Sequence, residues 1–214
     1  MAKLWKKIDQ AQSIPVKLNL EKDICFYARE YISRGDYASS ECNQLVQNFK
    51  KSPDKIDTPQ WKHKLHAIKK FASELEMAFA NKSYTISFIP TSKKRGSKDY
   101  DDRFDRLISI ICKSCPNLIY EEPIEIEDDC HSASKQGGSR DSKEIYKTYI
   151  WKGFHNIPEK LIVIDDVVTT GGHFLAYKKM ILENCPDIEV IGLFWGMTIW
   201  PDVDVFDIIP ADET

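Results

Sequence analysis

At 214 residues, with 42% hydrophobic and 11% aromatic content, the chain holds enough apolar material for a core of its own, which excludes global disorder. Its 30 basic and 33 acidic residues leave a formal charge of −3, which argues against a protein whose main task is to neutralise nucleic-acid backbone. No apolar h-region follows the basic start MAKLWKKIDQ, and no apolar run approaches the roughly 20 residues of a membrane span. A protein of the reducing cytoplasm is therefore expected, with its six cysteines as free thiols.

Residues 1–80 read as helical and contain one glycine, Gly35. Thr58-Pro59 suits a helix start, with Thr as N-cap and Pro where a missing N–H costs nothing. Trp61, Leu65, Ile68, Ala72, Leu75 and Phe79 then recur at helical spacing, opposite Lys62, Lys69, Lys70 and Glu74. This is an amphipathic packing helix that ends near Asn81, with a solvated charged face.

The character changes at residue 84. YTISFIP (84–90) reads as a strand stopped by its proline, and TSKKRGSKD follows as a basic loop. A helix is expected from about Tyr100 to Cys115, with Phe104, Leu107, Ile108 and Ile111 on one face and Asp101, Asp102, Arg103, Asp105 and Arg106 as solvated charges. Arg103 alone could point back toward the basic loop. Cys112 and Cys115 have redox or half-zinc-site spacing but no partner pair, and read as packing cysteines. NLIYEEPIEIE (117–127) offers one or two strands. Residues 128–145 are too polar for a core and are expected to form an exposed mobile loop, from which YKTYIW (146–151) returns as a strand.

LIVI (161–164) is a continuous apolar run, as in a strand covered on both faces. FLAYKKMILEN (174–184) has helix spacing, and IEVIGLFWGM (188–197) is a second buried strand. Strand, helix and strand in this order predict an α/β fold: an open, mostly parallel twisted sheet flanked by helices.

Ligands of such sheets bind beyond the carboxyl ends of strands. Asp165 and Asp166 are expected at that end of strand 161–164, and Thr169, Thr170, Gly171, Gly172 and His173 open the next helix. Glycines let backbone amides approach a phosphate, the helix N-terminus favours an anion, and paired carboxylates suit a vicinal diol. A sugar phosphate satisfies both halves. A capping aspartate explains only one acid, and a Walker-type or dinucleotide site would need GxxxxGK[ST] or GxGxxG, which the sequence lacks.

LIVIDDVVTTGGH resembles the signature of type I phosphoribosyltransferases. By that resemblance Asp165 and Asp166 bind the ribose hydroxyls of phosphoribosyl pyrophosphate (PRPP), and Thr169 to His173 hold its 5′-phosphate. His173 departs from the family's Thr or Ser. It donates either through its ring or only through its backbone N–H. The resemblance makes PTSKKRG, through Thr91, Ser92, Lys93 and Lys94, the pyrophosphate loop. Residues 128–145 become a closing loop, whose Lys135 and Arg140 would neutralise the leaving pyrophosphate as catalytic residues beside Asp165 and Asp166. The implied reaction is displacement at ribose C1 through an oxocarbenium-like transition state, with Mg²⁺ held mainly by substrate oxygens rather than by a protein cage.

The resemblance covers about residues 84–200 and divides the chain into a helical region, 1–82, and a phosphoribosyltransferase-like core, 83–214. Residues 1–82 are expected to form a hood over the acceptor or a surface for a second copy or a partner protein. The expected ligand is PRPP or a ribose-5-phosphate nucleotide, with neither membrane nor nucleic acid as partner. Two functions fit: Mg²⁺-dependent transfer of 5-phosphoribosyl to an acceptor the sequence does not identify, and non-catalytic binding of PRPP or a nucleotide by a regulator.

Overall fold

The computed structural model describes residues 4–9, 17–127 and 141–200. In chain order the strands are β1 (Lys6–Lys7), β2 (Ile24–Ile32), β3 (Tyr84–Phe88), β4 (Leu118–Tyr120), β5 (Ile124–Ile126), β6 (Tyr149–Trp151), β7 (Lys160–Val168) and β8 (Glu189–Ile199). The helices are α1 (Glu41–Phe49), α2 (Trp61–Phe79), α3 (Arg103–Ser114), α4 (Ser142–Tyr146) and α5 (Gly172–Asn184).

Six strands form the central sheet in the order β1-β2-β8-β7-β3-β4. All neighbours from β2 to β4 are parallel, and only β1 runs antiparallel, at the edge. β5 and β6 make a separate antiparallel pair. Helices α1, α2 and α3 cover one face, where Phe49, Phe71 and Phe104 pack on Phe88, Ile164 and Trp195. Helix α5 covers the other, where Phe174, Tyr177 and Ile181 pack on Tyr27, Leu161 and Val163. This is the expected α/β class, and LIVI is apolar throughout because Ile162 and Ile164 enter the first core while Leu161 and Val163 enter the second.

The helical reading of residues 1–80 needs correction. Two helices are there, but residues 24–32 form β2, registered on β8 from Ile24↔Ile191 to Ile32↔Ile199. Cys25 and Tyr27 face the α5 layer while Phe26 and Ala28 face the α1–α3 layer, the period of a strand. Arg29 obscured the pattern, since it is a strand residue neutralised from a helix: its guanidinium makes two bonds, of 2.6 and 2.5 Å, to the buried Glu74 of α2. The sheet's hydrogen bonding therefore crosses the division at residues 82 and 83.

Helix starts differ as well. Thr58 is not the cap of α2, which begins at Trp61 with no side-chain cap. Its hydroxyl instead donates backward to Lys55 O at 2.8 Å, closing the 3-10 turn Pro53–Lys55. Asp141 and Ser142, expected in a loop, open α4, whose N-cap carboxylate accepts from the Lys143 N–H. That helix takes Tyr146, so the following strand begins only at Tyr149.

Candidate functional site

β3 and β7 lie side by side, and their crossover helices leave on opposite faces: α3 from β3 to β4, and α5 from β7 to β8. The gap between β3 and β7 is thus the switch point of the sheet, where open α/β folds bind ligands. Pairing of β3 with β7 ends at Phe88↔Ile164, followed by an Ile89 N–H bond to Ile164 O at 3.1 Å. On its other side β7 stays paired with β8 as far as Val168↔Met197. Asp165 and Asp166 therefore do not follow the strand, as the sequence suggested. They lie within it, on a stretch hydrogen-bonded to one neighbour only and open toward the loop after β3.

The two acids differ sharply. Asp166 is 3% exposed and meets two cations: Lys50 Nζ at 2.8 Å from Oδ1 and Arg103 Nη2 at 3.1 Å from Oδ2. Burial disfavours its charge, but Lys50 and Arg103 outweigh burial and hold its pKa below the usual carboxylate range. Asp165 is only half-buried, and its Oδ1 accepts the Asp166 N–H at 2.8 Å. Burial first, and the neighbouring Asp166 charge second, raise the Asp165 pKa to about 7.

Behind Asp166 the ion pairs continue. Arg103 also bonds Asp101 Oδ2 at 2.9 Å, and Asp101 Oδ1 takes the Lys64 ammonium at 2.6 Å. Lys64 is fully buried on α2 and donates to Phe49 O at 3.0 Å and Lys51 O at 2.7 Å, the carbonyls on either side of Lys50. The ion pairs thus run Lys64, Asp101, Arg103, Asp166, Lys50. Burial opposes the Arg103 charge, and Asp166, Asp101 and Asp165 together more than restore it. Asp166 Oδ2 and Arg103 Nε make no hydrogen bond despite being buried.

The TTGG loop follows directly. Gly171 adopts φ 79°, a left-handed conformation that suits glycine, and serves as the N-cap of α5. With no side chain to cap the helix, the first-turn amides receive little: Gly172 N–H meets Thr170 Oγ1 only at 3.4 Å. Thr169 Oγ1 pairs with Thr198 Oγ1 of β8 at 3.0 Å, and Thr170 O accepts the Lys17 N–H at 2.9 Å. The His173 side chain is exposed on the first turn of α5. Desolvation first, and the Lys50 charge second, lower its pKa from the ordinary imidazole value, against Asp166.

Of the loop after β3, Thr91 is buried, Ser92 and Lys93 are half-buried, and Lys94 is exposed. Thr91, Lys93 and Lys94 line a cavity of about 70 Å³ with Arg95, Tyr100 and Glu122, and neither Asp165 nor Asp166 lines it. Arg95 is already engaged by Asp105 at 2.6 Å and Glu122 at 2.9 Å. Lys135 and Arg140 lie outside the described residues. Cys112 and Cys115 are free thiols, and no cluster of three metal-ligating side chains exists among the described residues. No helix among them is long and apolar enough to cross a membrane.

Sequence reasoning found the acids and the TTGG loop but missed Lys50, Lys64 and Asp101. Lys50 carries no local signal, since it lies 116 residues from its partner and follows an unremarkable helix. Lys64 does leave one: it falls on the apolar side of α2, between Trp61 and Ile68, where a lone charge predicts a buried partner.

No family model matches the chain, and no curated protein matches it. Among solved structures it is similar to a hypoxanthine phosphoribosyltransferase from Staphylococcus aureus, at 10% identity over 63% of this chain and 71% of that one, with a TM-score of 0.35. It is also similar to the adenine phosphoribosyltransferase of Saccharomyces cerevisiae, at 16% identity over 73% and 89%, with a TM-score of 0.36. For that of Leishmania tarentolae the figures are 10% identity over 92% and 100%, with a TM-score of 0.38.

Proposed function

We propose that this chain binds a 5-phosphoribosyl ligand at the β3–β7 switch point and transfers the phosphoribosyl group from PRPP to an acceptor, releasing pyrophosphate. The observation that carries the reading is that the half-buried Asp165 lies on the part of β7 not paired with β3, and that the same strand leads into the uncapped, glycine-started N-terminus of α5. The Asp165 carboxylate accepts a ribose hydroxyl, and the amides of Gly172 and His173 take the 5′-phosphate. The loop at Thr91 to Lys94, one strand over, takes the pyrophosphate. Asp166 acts indirectly, as the buried partner that holds Arg103 in place. Mg²⁺, when bound, would be held mainly by the ligand's own oxygens and would supply positive charge to the departing pyrophosphate.

Calorimetry with PRPP and Mg²⁺, followed by a pyrophosphate-release assay over a panel of purine and pyrimidine bases, tests both halves. Binding that is lost in Asp165→Asn, together with release in the presence of one base, is the expected result. A folded protein that binds neither PRPP nor ribose 5-phosphate sinks the reading.

The pairing of Asp166 with two cations favours the second function, a PRPP- or nucleotide-binding regulator, because it leaves one acid rather than two for the sugar. It predicts the same binding and no release with any base.

A further inference from the structure

Asp166 has one neutralising partner more than its single charge requires, and the two partners are unlike. Arg103 is 15% exposed and fastened at both ends, to Asp101 and to Asp166. Lys50 is 40% exposed, and Asp166 is the partner it meets, at 2.8 Å. If Lys50 turned away, Arg103 would still neutralise Asp166, so the second cation is not needed to keep the acid buried.

Where Lys50 stands also matters. It is the C-cap residue of α1, and its charge is felt both by Asp166 in β7 and by His173 on the first turn of α5. Its ammonium reaches Asp166 in β7, the strand that runs directly into the TTGG loop and the amides assigned to the phosphate. Its backbone is fixed by the Lys64 ammonium, which holds the carbonyls of Phe49 and Lys51, while its side chain reaches solvent. A flexible ammonium on a rigid mount, at the mouth of an anion site, suits a phosphate.

We infer that Lys50 is the residue through which the amino-terminal region grips the ligand's 5′-phosphate, turning from Asp166 to the phosphate oxygens while Arg103 remains on Asp166. Lys64 is a positioning residue, since one buried ammonium sets both Lys50, through the flanking carbonyls, and Arg103, through Asp101. This inference rests on the 5-phosphoribosyl reading of the same site. It adds a binding residue from outside the motif and makes residues 1–82 part of the site.

Ribose 5-phosphate is the probe, titrated by calorimetry into the wild type, Lys50→Met and Lys50→Arg at low and high salt. Lys50→Met is expected to weaken binding by roughly 10- to 100-fold, the worth of one charge-assisted hydrogen bond. Lys50→Arg is expected to restore most of it, and the wild type to lose affinity with salt more steeply than Lys50→Met. A merely structural lysine would not change that salt slope. Should Lys50→Met fail to fold, Lys50→Gln, which still donates to Asp166 but carries no charge, gives the same comparison. A wild type that binds while Lys50→Met binds equally well or more tightly overturns the inference and leaves the site reading standing. A wild type that binds neither ribose 5-phosphate nor PRPP overturns both.

Discussion

Arg103 and Asp166 face each other at 3.1 Å, one on the first turn of α3 and the other inside β7, with side chains 15% and 4% exposed. A carboxylate this buried exists because cations meet it, and the converse holds for Arg103. Asp166→Ala is therefore expected to lower stability by about 3 to 5 kcal/mol, as when one partner of a buried pair is removed. Asp165→Asn should leave stability at neutral pH unchanged or raised, since it keeps the oxygen that accepts the Asp166 N–H and removes a like charge. Urea unfolding of the two variants checks the contrast, and equal losses would show that the acids share one role.

The same asymmetry sets a pH dependence. The folded-state pKa of Asp165 is raised from 3.8 to about 7, so the folded protein holds that proton more tightly than the unfolded chain. Its contribution to stability is full below the unfolded value and is lost as pH rises through about 7. The urea midpoint of the wild type, measured against Asp165→Asn, should fall between pH 4 and 7 and then level off. For Asp166 the shift is downward, so its contribution is present above the unfolded value and disappears only in stronger acid.

Gly196 is a packing constraint near the site. A Cβ there would sit 2.9 Å from Cys42 Sγ and 3.3 Å from Val167 Cγ2, between α1 and β7. Gly196→Ala is expected to cost about 1 to 3 kcal/mol, as in an overpacked core. In a Cys42→Ala background the cost should shrink, because the thiol is the nearer obstacle. A double-mutant cycle by thermal unfolding reads the coupling directly.

Glu74 anchors α2 to the sheet. It is 1% exposed and bonds Arg29 of β2 twice and Trp195 Nε1 of β8 at 2.7 Å. Glu74→Ala leaves Trp195 Nε1 without its acceptor and Arg29 with only the exposed Glu41 at 3.6 Å, and is expected to cost about 3 to 5 kcal/mol. Glu74→Gln, which keeps an oxygen for Trp195, should cost less. Equal losses would mean that the Arg29 pair carries the whole effect.

What the sequence made legible follows from how local each signal is. β7, α5 and β8 were readable because their apolar runs and the TTGG turn write their structure within a dozen residues. β2 was not, because its inward Arg29 is satisfied from a helix 45 residues away. The same limit applies at the site. DDVVTTGG announces a phosphate loop, but whether each acid faces ligand or protein depends on Lys50 and Arg103, which come from distant elements. Lys64 was the one clue available: a lone charge on the apolar side of α2, outside the charged face of Lys62, Lys69 and Lys70, marks the ion pairs behind Asp166.

The pairing of β2 with β8 has a consequence for any attempt to study the motif-bearing part alone. A polypeptide starting at residue 83 would keep DDVVTTGG yet strip β8 of its outer neighbour, baring the mostly apolar stretch from Ile191 to Ile199. Such an edge is a template for other chains. The isolated half would be expected to aggregate, and its failure to bind a ligand would say nothing about the site.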